Sequence, residues 1–156
     1  MEKKKEFTFR KAVIADVPVM HKLINSLAGN NEMLPRSLNQ LYDTLRDFWV
    51  CEADGAVCGC CALHIMWKDL VEIRSVAISP KYQRRGIGKK LVHIAIDEAR
   101  QLGLPQVFLL TYKPEYFKKF GFRIIDKHTL PQKVWTECVN CPKFPDCGET
   151  AMILDL

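Results

Sequence analysis

The sequence predicts a mixed α/β (α+β) fold, in which helices cover both faces of a central mixed, mostly antiparallel sheet of six or seven strands. Hairpin signals come early in the chain, a strand–helix–strand crossover follows them, and amphipathic helices flank both. A chain of 156 residues with 48% hydrophobic content has enough apolar material for one ordinary core. We therefore expect a single domain over residues 1–156.

The first part of the chain predicts one strand and two helices. Residues 7–11 alternate like a short strand. Asp16 is placed to cap a helix that ends near Gly29, and Ser37 is placed to cap a second helix. The side chains expected to face inward are Val19, Met20, Leu23, Ile24 and Leu27 in the first helix and Leu38, Leu41, Tyr42 and Leu45 in the second.

The rest of the chain predicts a hairpin, a crossover and a final group of strands. Asp54-Gly55 is a hairpin turn signal between strands over 48–53 and 56–67. Beyond the hairpin the apolar period changes to that of a helix and then back to that of a strand. The remaining predicted elements are a strand over 71–79, a helix over 87–102, a strand over 106–112, a short helix over 115–120, and strands over 122–125 and 150–154.

Composition and charge exclude several classes of function. The longest mostly apolar stretch, residues 56–67, is shorter than the ~20 residues of a membrane span, and the N-terminus does not resemble a signal peptide. A net charge of +5 favours an anionic partner but is too small to indicate nucleic acid. Four of the seven cysteines lie in apolar, strand-like sequence, which favours buried thiols in a reducing, cytoplasmic setting. These four are Cys51, Cys58, Cys60 and Cys61.

A glycine turn between the strand over 71–79 and the following helix is the most informative segment. Its two glycines allow the backbone to approach a ligand closely, and the free N–H groups of a helix's first turn attract anions. Basic side chains surround it, so the turn predicts a phosphate-binding site; the alternative is a tight strand–helix turn beside a solvated basic face. The residues expected to contact the ligand are Gln83, Arg84, Arg85, Gly86, Ile87, Gly88 and Lys89.

The pattern Gln-x-x-Gly-x-Gly, after a strand ending in residues 74–78 (RSVAI), resembles the acetyl-coenzyme A (acetyl-CoA) signature of the GNAT superfamily of N-acetyltransferases. Residues 116–122 (YFKKFGF) are similar to the second motif of that superfamily, and the resemblance extends from residue 7 to the C-terminus. It implies acetyl-CoA as the cosubstrate, with its pyrophosphate held by the amides of the turn. The remaining implied coenzyme contacts are the backbone of Val76, Ala77 and Ile78, which pairs with pantetheine, and Phe117.

The resemblance also implies catalytic residues. Acetyl transfer needs a neutral amine, a polarised thioester carbonyl and a protonated leaving thiol. Glu72 lies where several family members carry a catalytic glutamate, so it is the expected general base, acting directly or through a water. The alternative for Glu72 is a salt bridge to Arg74. A backbone N–H at Val76 or Ala77 is the expected oxyanion donor.

The choice of general acid stays open between two tyrosines. Many family members place a tyrosine four residues before the Gly-Phe, and this chain has Phe117 there. Tyr116 is one residue away, which is about 100° around a helix, and Tyr112 ends the preceding strand. For both tyrosines, packing against coenzyme or core is the alternative. A thiol with a pKa of about 8.5 also leaves readily without full protonation.

Two further segments resemble the short N-acetylglutamate synthase-like acetyltransferases. They are residues 34–37 (LPRS) and residues 130–142 (LPQKVWTECVNCP). This resemblance implies transfer to the α-amine of L-glutamate, in arginine biosynthesis. Glutamate presents two carboxylates, so its site needs cations, and Arg36, Arg74 and Lys133 are the candidates. Each of the three is otherwise a solvated surface charge.

Other acceptors and partners stay open from the sequence. Another amino acid, a polyamine or a protein amine are alternative acceptors, and a non-catalytic acetyl-CoA-binding regulatory module is a further alternative. A sheet edge near the C-terminus would allow a homodimer. Cys138, Cys141 and Cys147 have the spacing of metal ligands and would form a zinc site together with His128. Because a full zinc site usually shows two ligand pairs, we expect free thiols and no metal, with zinc binding and redox pairing as the alternatives.

Overall fold

A computed structural model describes residues 6–131, 134–135 and 148–156. Within them the strands form one seven-stranded sheet in the order β1-β2-β3-β4-β5-β7-β6. The strands are β1 (Phe7–Lys11), β2 (Phe48–Ala53), β3 (Ala56–Trp67), β4 (Leu70–Ile78), β5 (Gln106–Thr111), β6 (Arg123–Ile125) and β7 (Thr150–Asp155). Strands β4 and β5 are parallel, whereas β1–β2, β2–β3, β5–β7 and β6–β7 are antiparallel. The predicted fold class is confirmed.

The helices lie where the sequence predicts them. The helices are α1 (Val17–Gly29), α2 (Leu38–Asp43), α3 (Ile87–Gln101) and α4 (Pro114–Lys118). The Ser37 side chain accepts a hydrogen bond from the Gln40 backbone N–H, and the Gln40 side chain accepts one from the Ser37 N–H, so the predicted cap of α2 is a complete capping box. Helix α4 begins one residue earlier than predicted, because proline is favoured at the first helical position.

The predicted inward faces of α1 and α2 are too wide. Met20, Ile24 and Leu41 are buried as predicted, but Val19 and Tyr42 are each about half exposed. Leu38 is also exposed, at 45% of its surface. Helix α2 has only six residues, fewer than two turns, and Leu41 is its one buried residue. In α1 the buried residues Val17, Met20, Ile24 and Leu27 follow the three- and four-residue spacing of one helical stripe, and Val19 lies outside that stripe.

The described chain divides into two compact units, and the first comprises Met1–His64 and Ile73–Glu98. Its strands carry helices on both faces. On one face, Val50 and Cys60 pack in a cluster with the α1 residues Met20 and Ile24. On the other face, the indole N–H of Trp49 donates to the Glu98 carboxylate of α3.

The four cysteines of β2 and β3 are buried, as the sequence predicts. Cys51, Cys58, Cys60 and Cys61 are each at most 2% exposed. Burial raises the pKa of the Cys51 and Cys60 thiols to about 12. These thiols are therefore protonated at neutral pH and act as small apolar side chains of the core.

The second unit comprises Ile65–Glu72 and Ala99–Leu156. Its parallel ladder pairs Leu70 of β4 with Gln106 of β5 and continues only as far as Glu72. Strand β7 pairs with β5 along its whole length. One core cluster of buried side chains in this unit is made of Met66, Leu70, Phe108, Leu130, Val134, Ala151 and Ile153.

Two expectations about organisation stay predictions. They are the single domain over residues 1–156 and the homodimer, although β6 does lie at one edge of the sheet. Among the described residues, no helix is long and apolar enough to cross a membrane.

Asp16 plays a different part from the predicted helix cap. Its backbone is already helical, and its side chain makes no capping bond to α1. Instead, the carboxylate accepts hydrogen bonds from Arg10 Nη1 and Nη2, at 2.7 and 3.0 Å, and from the Val13 backbone N–H at 2.8 Å. The hydrogen bond from Arg10 holds the pKa of Asp16 below its ordinary value. Asp16 thus ties β1 to the start of α1.

We expect Asp16→Asn to lower the free energy of unfolding by about 2 kcal/mol at pH 7, since it weakens charged hydrogen bonds to a buried group. The folded-state pKa of Asp16 is depressed, so its contribution is present at neutral pH and is lost as the pH falls below about 4. Urea unfolding at pH 7 and pH 3 should therefore show a difference between wild type and variant that narrows in acid. Glu115→Gln, at an exposed carboxylate paired with Lys118, serves as the control and should change little. A difference that does not depend on pH would contradict the assignment.

Candidate functional site

The predicted glycine turn follows β4 and leads directly into α3. Arg84 and Gly86 both have positive φ, at 63° and 81°. Left-handed residues alternating with ordinary ones aim successive backbone N–H groups toward one side, which is an anion-binding arrangement. The Gly86 carbonyl accepts the first helical bond, from Lys90 N at 3.0 Å. The N–H groups of the first turn of α3 therefore have no partner within the helix.

Cations surround this turn. Lys81 Nζ lies 5.3 Å and Arg85 Cζ 5.6 Å from the centroid of the Tyr82 ring. Arg84 and Lys89 are exposed at the same turn. The positive end of the helix dipole and these side chains together provide a positive potential suited to a phosphate.

Two predicted coenzyme ligands have roles within the fold. The Gln83 side-chain amide donates to the Ile78 carbonyl at 3.1 Å, which ties the turn to the end of β4. Ile87 is only 2% exposed, so its side chain belongs to the core. A Cβ placed on Gly59 would lie 2.9 Å from Ile78 Cδ1 and 3.3 Å from Ile87 Cγ2. The absence of a Cβ at Gly59 therefore allows the Ile78 and Ile87 side chains to pack against β3. Gly59 is not among the residues predicted from the sequence.

The end of β4 is irregular. Ser75 has a φ of 56°, in the left-handed region that a serine in a strand rarely adopts. The Cys60 thiol donates to the Ser75 carbonyl at 3.5 Å, and the Ser79 N–H donates to the Cys58 carbonyl at 2.8 Å. The ladder with β5 ends at Glu72, so Val76 lies beyond it. No glycine or asparagine marks this distortion in the sequence.

The candidate catalytic residues lie in the second unit. Glu72 is 6% exposed and is one of the four polar or charged residues buried in the described part of the chain. Tyr112, half-buried just after β5, has its ring edge 3.8 Å from where a Cβ on Gly148 would lie. Tyr116 and Phe117 belong to α4, with ring centroids 5.0 Å apart in an edge-to-face arrangement.

Phe117 belongs to an aromatic cluster. It is buried and packs edge-to-face against Phe122, at 6.1 Å between ring centroids. Tyr116 lies on the same helix and is only half-buried, with its ring 5.5 Å from that of Phe120. Phe117, the predicted coenzyme contact, is therefore buried among aromatic rings. Tyr116 also packs against two rings, as its packing alternative predicts, but it retains exposed surface.

The candidate acceptor cations belong to different parts of the chain. Arg36 lies in the loop between α1 and α2, and Asn25 holds that loop. The Asn25 side-chain amide donates to the Arg36 carbonyl at 2.7 Å, and the Arg36 N–H donates to Asn25 Oδ1 at 3.1 Å. Arg74 is half-buried on β4. Lys133 lies outside the described residues.

Cys138, Cys141 and Cys147 lie outside the described residues, and the described ones contain no group of three or more candidate ligands. His128, the suggested fourth ligand, stacks on Trp135 with ring centroids 5.6 Å apart.

Comparison with known proteins identifies similar chains. A family model described as "Acetyltransferase (GNAT) family" matches residues 20–122. An uncharacterized N-acetyltransferase of Chlorobaculum tepidum is 38% identical over 147 residues, which cover 94% of this chain and 95% of that protein. An amino-acid acetyltransferase of Mycobacterium tuberculosis is 39% identical over 150 residues, which cover 94% of this chain and 83% of that protein.

Solved structures show the same similarity. An N-acetylglutamate synthase from Neisseria gonorrhoeae, complexed with coenzyme A and N-acetyl-glutamate, superposes with a TM-score of 0.88 at 28% identity over 99% of this chain. The chain spans only 36% of the length of that synthase. A Mycobacterium tuberculosis protein in complex with CoA has a TM-score of 0.81 at 34% identity, covering 96% of this chain and 99% of that one.

Proposed function

Because this chain belongs to the acetyltransferase (GNAT) family and is an acetyl-CoA-dependent N-acetyltransferase, we propose that its acceptor is the α-amine of L-glutamate. The reaction would supply arginine biosynthesis. The observation that carries the proposal is the TM-score of 0.88 with an N-acetylglutamate synthase whose structure contains N-acetyl-glutamate. The similarity to an amino-acid acetyltransferase over 83% of that protein's length supports it.

In this proposal the glycine turn binds the pyrophosphate of the coenzyme. The N–H groups at the start of α3 and the left-handed conformation of Gly86 support this role, because both present backbone donors to an anion. The backbone of Val76, Ala77 and Ile78 lies beyond the ladder with β5. Its amides are proposed to pair with pantetheine in the manner of an added strand.

The proposed chemistry is direct attack of a neutral amine on the thioester carbonyl. Glu72 takes the proton that the amine loses, directly or through a water, as the new N–C bond forms. The left-handed Ser75 turns the backbone after it, which supports an N–H of Val76 or Ala77 as the oxyanion donor. The C–S bond then breaks, and coenzyme A leaves as a thiol after taking a proton.

The source of that proton is proposed to be a tyrosine. Tyr112 and Tyr116 both keep part of their surface exposed, and both stay candidates. The demand on this residue is modest, because a thiol with a pKa of about 8.5 is a good leaving group. Substitution of either tyrosine by phenylalanine is therefore a weaker test than substitution of the base.

Arg36, Arg74 and Lys133 are proposed to bind the two carboxylates of glutamate. Charged hydrogen bonds to carboxylates are the strong ones, so each arginine present in the site should contribute to affinity. The Asn25 contacts that anchor the Arg36 backbone support a defined position for that loop.

We expect Arg74→Gln to raise the KM for L-glutamate about tenfold and to leave the KM for acetyl-CoA unchanged. Steady-state kinetics with either substrate varied provide the measurement, and Arg36→Gln should behave alike. Arg46→Gln, at an exposed arginine with no assigned role, is the matched control. If Arg36→Gln and Arg74→Gln both leave the KM for glutamate unchanged, these arginines are surface charges.

The proposed acceptor is tested by turnover. Release of free thiol from acetyl-CoA is followed with L-glutamate, L-glutamine, L-aspartate, L-lysine and spermidine in separate reactions. The proposal predicts the highest kcat/KM for L-glutamate. A higher value for any other amine would overturn the choice of acceptor while leaving the acetyltransferase activity in place.

A further inference from the structure

One aromatic ring beside the glycine turn is in contact with two cations. Tyr82 ends the short 3-10 helix Pro80–Tyr82, and only 7% of its surface is exposed. Lys81 Nζ lies 5.3 Å and Arg85 Cζ 5.6 Å from the centroid of its ring. Both distances are within the ~6 Å at which a cation is attracted to an aromatic ring.

The Tyr82 ring also packs against a second aromatic ring. The Phe7 ring of β1 meets the Tyr82 ring edge-to-face, with centroids 6.2 Å apart and planes at 84°. A nearly perpendicular aromatic pair is a favoured packing geometry. The Tyr82 ring, which contacts both cations, is therefore part of the folded core of the first unit.

Holding both cations here has an electrostatic consequence. Lysine and arginine side chains have many rotamers, so charges on a free loop are spread over a large volume. Contact with one buried ring restricts both side chains to the neighbourhood of the turn. An anion that binds at the turn therefore finds both charges already in place.

We propose that Tyr82 is a positioning residue for coenzyme binding: its ring holds Lys81 and Arg85 at the turn so that both charges meet the phosphate groups of the coenzyme. The inference rests on the proposed coenzyme role of the turn and adds Lys81 to it. It requires the face of the ring and not the hydroxyl group. Tyr82→Phe should therefore preserve the effect, whereas Tyr82→Leu should abolish it.

A purely structural role for Tyr82 makes a different prediction. A buried ring that only fills space would affect thermal stability, and its loss would weaken coenzyme binding equally whether or not the two cations are present. A positioning ring acts through those cations, so its loss should have no further effect once they are removed.

The test measures the Kd for coenzyme A by calorimetry. The proteins compared are wild type, Tyr82→Leu, Tyr82→Phe, the Lys81→Ala/Arg85→Ala double variant, and the triple variant that adds Tyr82→Leu. We expect Tyr82→Leu to raise the Kd several-fold to tenfold, Tyr82→Phe to stay within about twofold, and the double and triple variants to have equal Kd values. The dependence of log Kd on salt should also be shallower in Tyr82→Leu.

Two results would overturn the inference. One is the same loss from Tyr82→Leu in the presence and absence of the two cations. The other is an unchanged Kd in the Lys81→Ala/Arg85→Ala variant, which changes exposed residues and is decisive even if Tyr82→Leu does not fold. A wrong choice of acceptor amine leaves every Kd in this series unchanged. Absence of coenzyme binding by the wild type would overturn the coenzyme role of the turn together with the inference.

Discussion

Replacing Glu72 with glutamine is expected to lower kcat by about 100- to 10,000-fold and to leave the Kd for acetyl-CoA unchanged. The substitution keeps the size and hydrogen-bonding shape of a side chain that is 6% exposed, but it removes the proton acceptor. Steady-state turnover gives kcat, and calorimetry gives the coenzyme affinity. A loss confined to kcat is what distinguishes a general base from a coenzyme ligand.

The control for this variant is Glu115→Gln, at a side chain that is 82% exposed and contacts Lys118. It should retain wild-type kcat and Kd. A Glu72→Gln enzyme with wild-type kcat would show that the carboxylate is structural, which is the ion-pair alternative that the sequence leaves open. Partial recovery of kcat in Glu72→Gln at high pH would support Glu72 as the general base, because more of the amine substrate is then neutral without a base to deprotonate it.

Gly86→Val is expected to raise the KM for acetyl-CoA about 10- to 100-fold with a smaller change in kcat. A Cβ on Gly86 would meet no atom within 4 Å, so the expected effect comes from the backbone. The φ of 81° is unfavourable for any residue with a Cβ and most of all for a β-branched one. Valine should therefore pull the turn out of the conformation that presents its amides.

Gly55→Val is the matched control for this prediction. Gly55 has a φ of 77°, and a Cβ there also meets no atom within 4 Å, but it lies in the β2–β3 hairpin. Both variants should lose similar stability in thermal unfolding, whereas only Gly86→Val should change the KM for acetyl-CoA. Equal KM values for wild type and Gly86→Val would contradict the phosphate role of the turn.

Features of the fold that depend on local chemistry could be predicted from the sequence. The hairpin turn lies at Asp54-Gly55, where both residues have positive φ, because that turn type selects such residues directly. The capping box at Ser37 and the glycine turn before α3 are also local signals. The parallel crossover from β4 to β5 follows from the order of elements.

Features that depend on residues distant in the sequence could not be predicted from the sequence. Asp16 has a side chain suited to a helix cap, but Arg10 on β1 offers stronger charged hydrogen bonds. Gly59 is required by the side chains of Ile78 and Ile87, which lie about 20 to 30 residues further along the chain. The left-handed Ser75 has no local signal at all. Each of these depends on tertiary contacts that override local preference.

The candidate site also combines features that are local in the sequence with features from distant elements. The glycine turn could be predicted as a turn into α3 because glycine spacing, helix start and basic charge all lie within a few residues, and its coenzyme role stays a proposal. The residues proposed to bind the acceptor have no such local pattern, since Arg36 and Arg74 come from separate elements and Lys133 lies outside the described residues. Asn25, which holds the Arg36 loop, became apparent only from the hydrogen bonds.

The most direct test of the central claim is a competition. The wild-type enzyme is given isotope-labelled acetyl-CoA and an equimolar mixture of the common amino acids with spermidine, and the labelled products are identified by mass spectrometry. We expect N-acetyl-L-glutamate to be the main labelled product and Glu72→Gln to yield almost none of it in the same time. A different acetylated amine as the main product would contradict the assignment of glutamate as the acceptor.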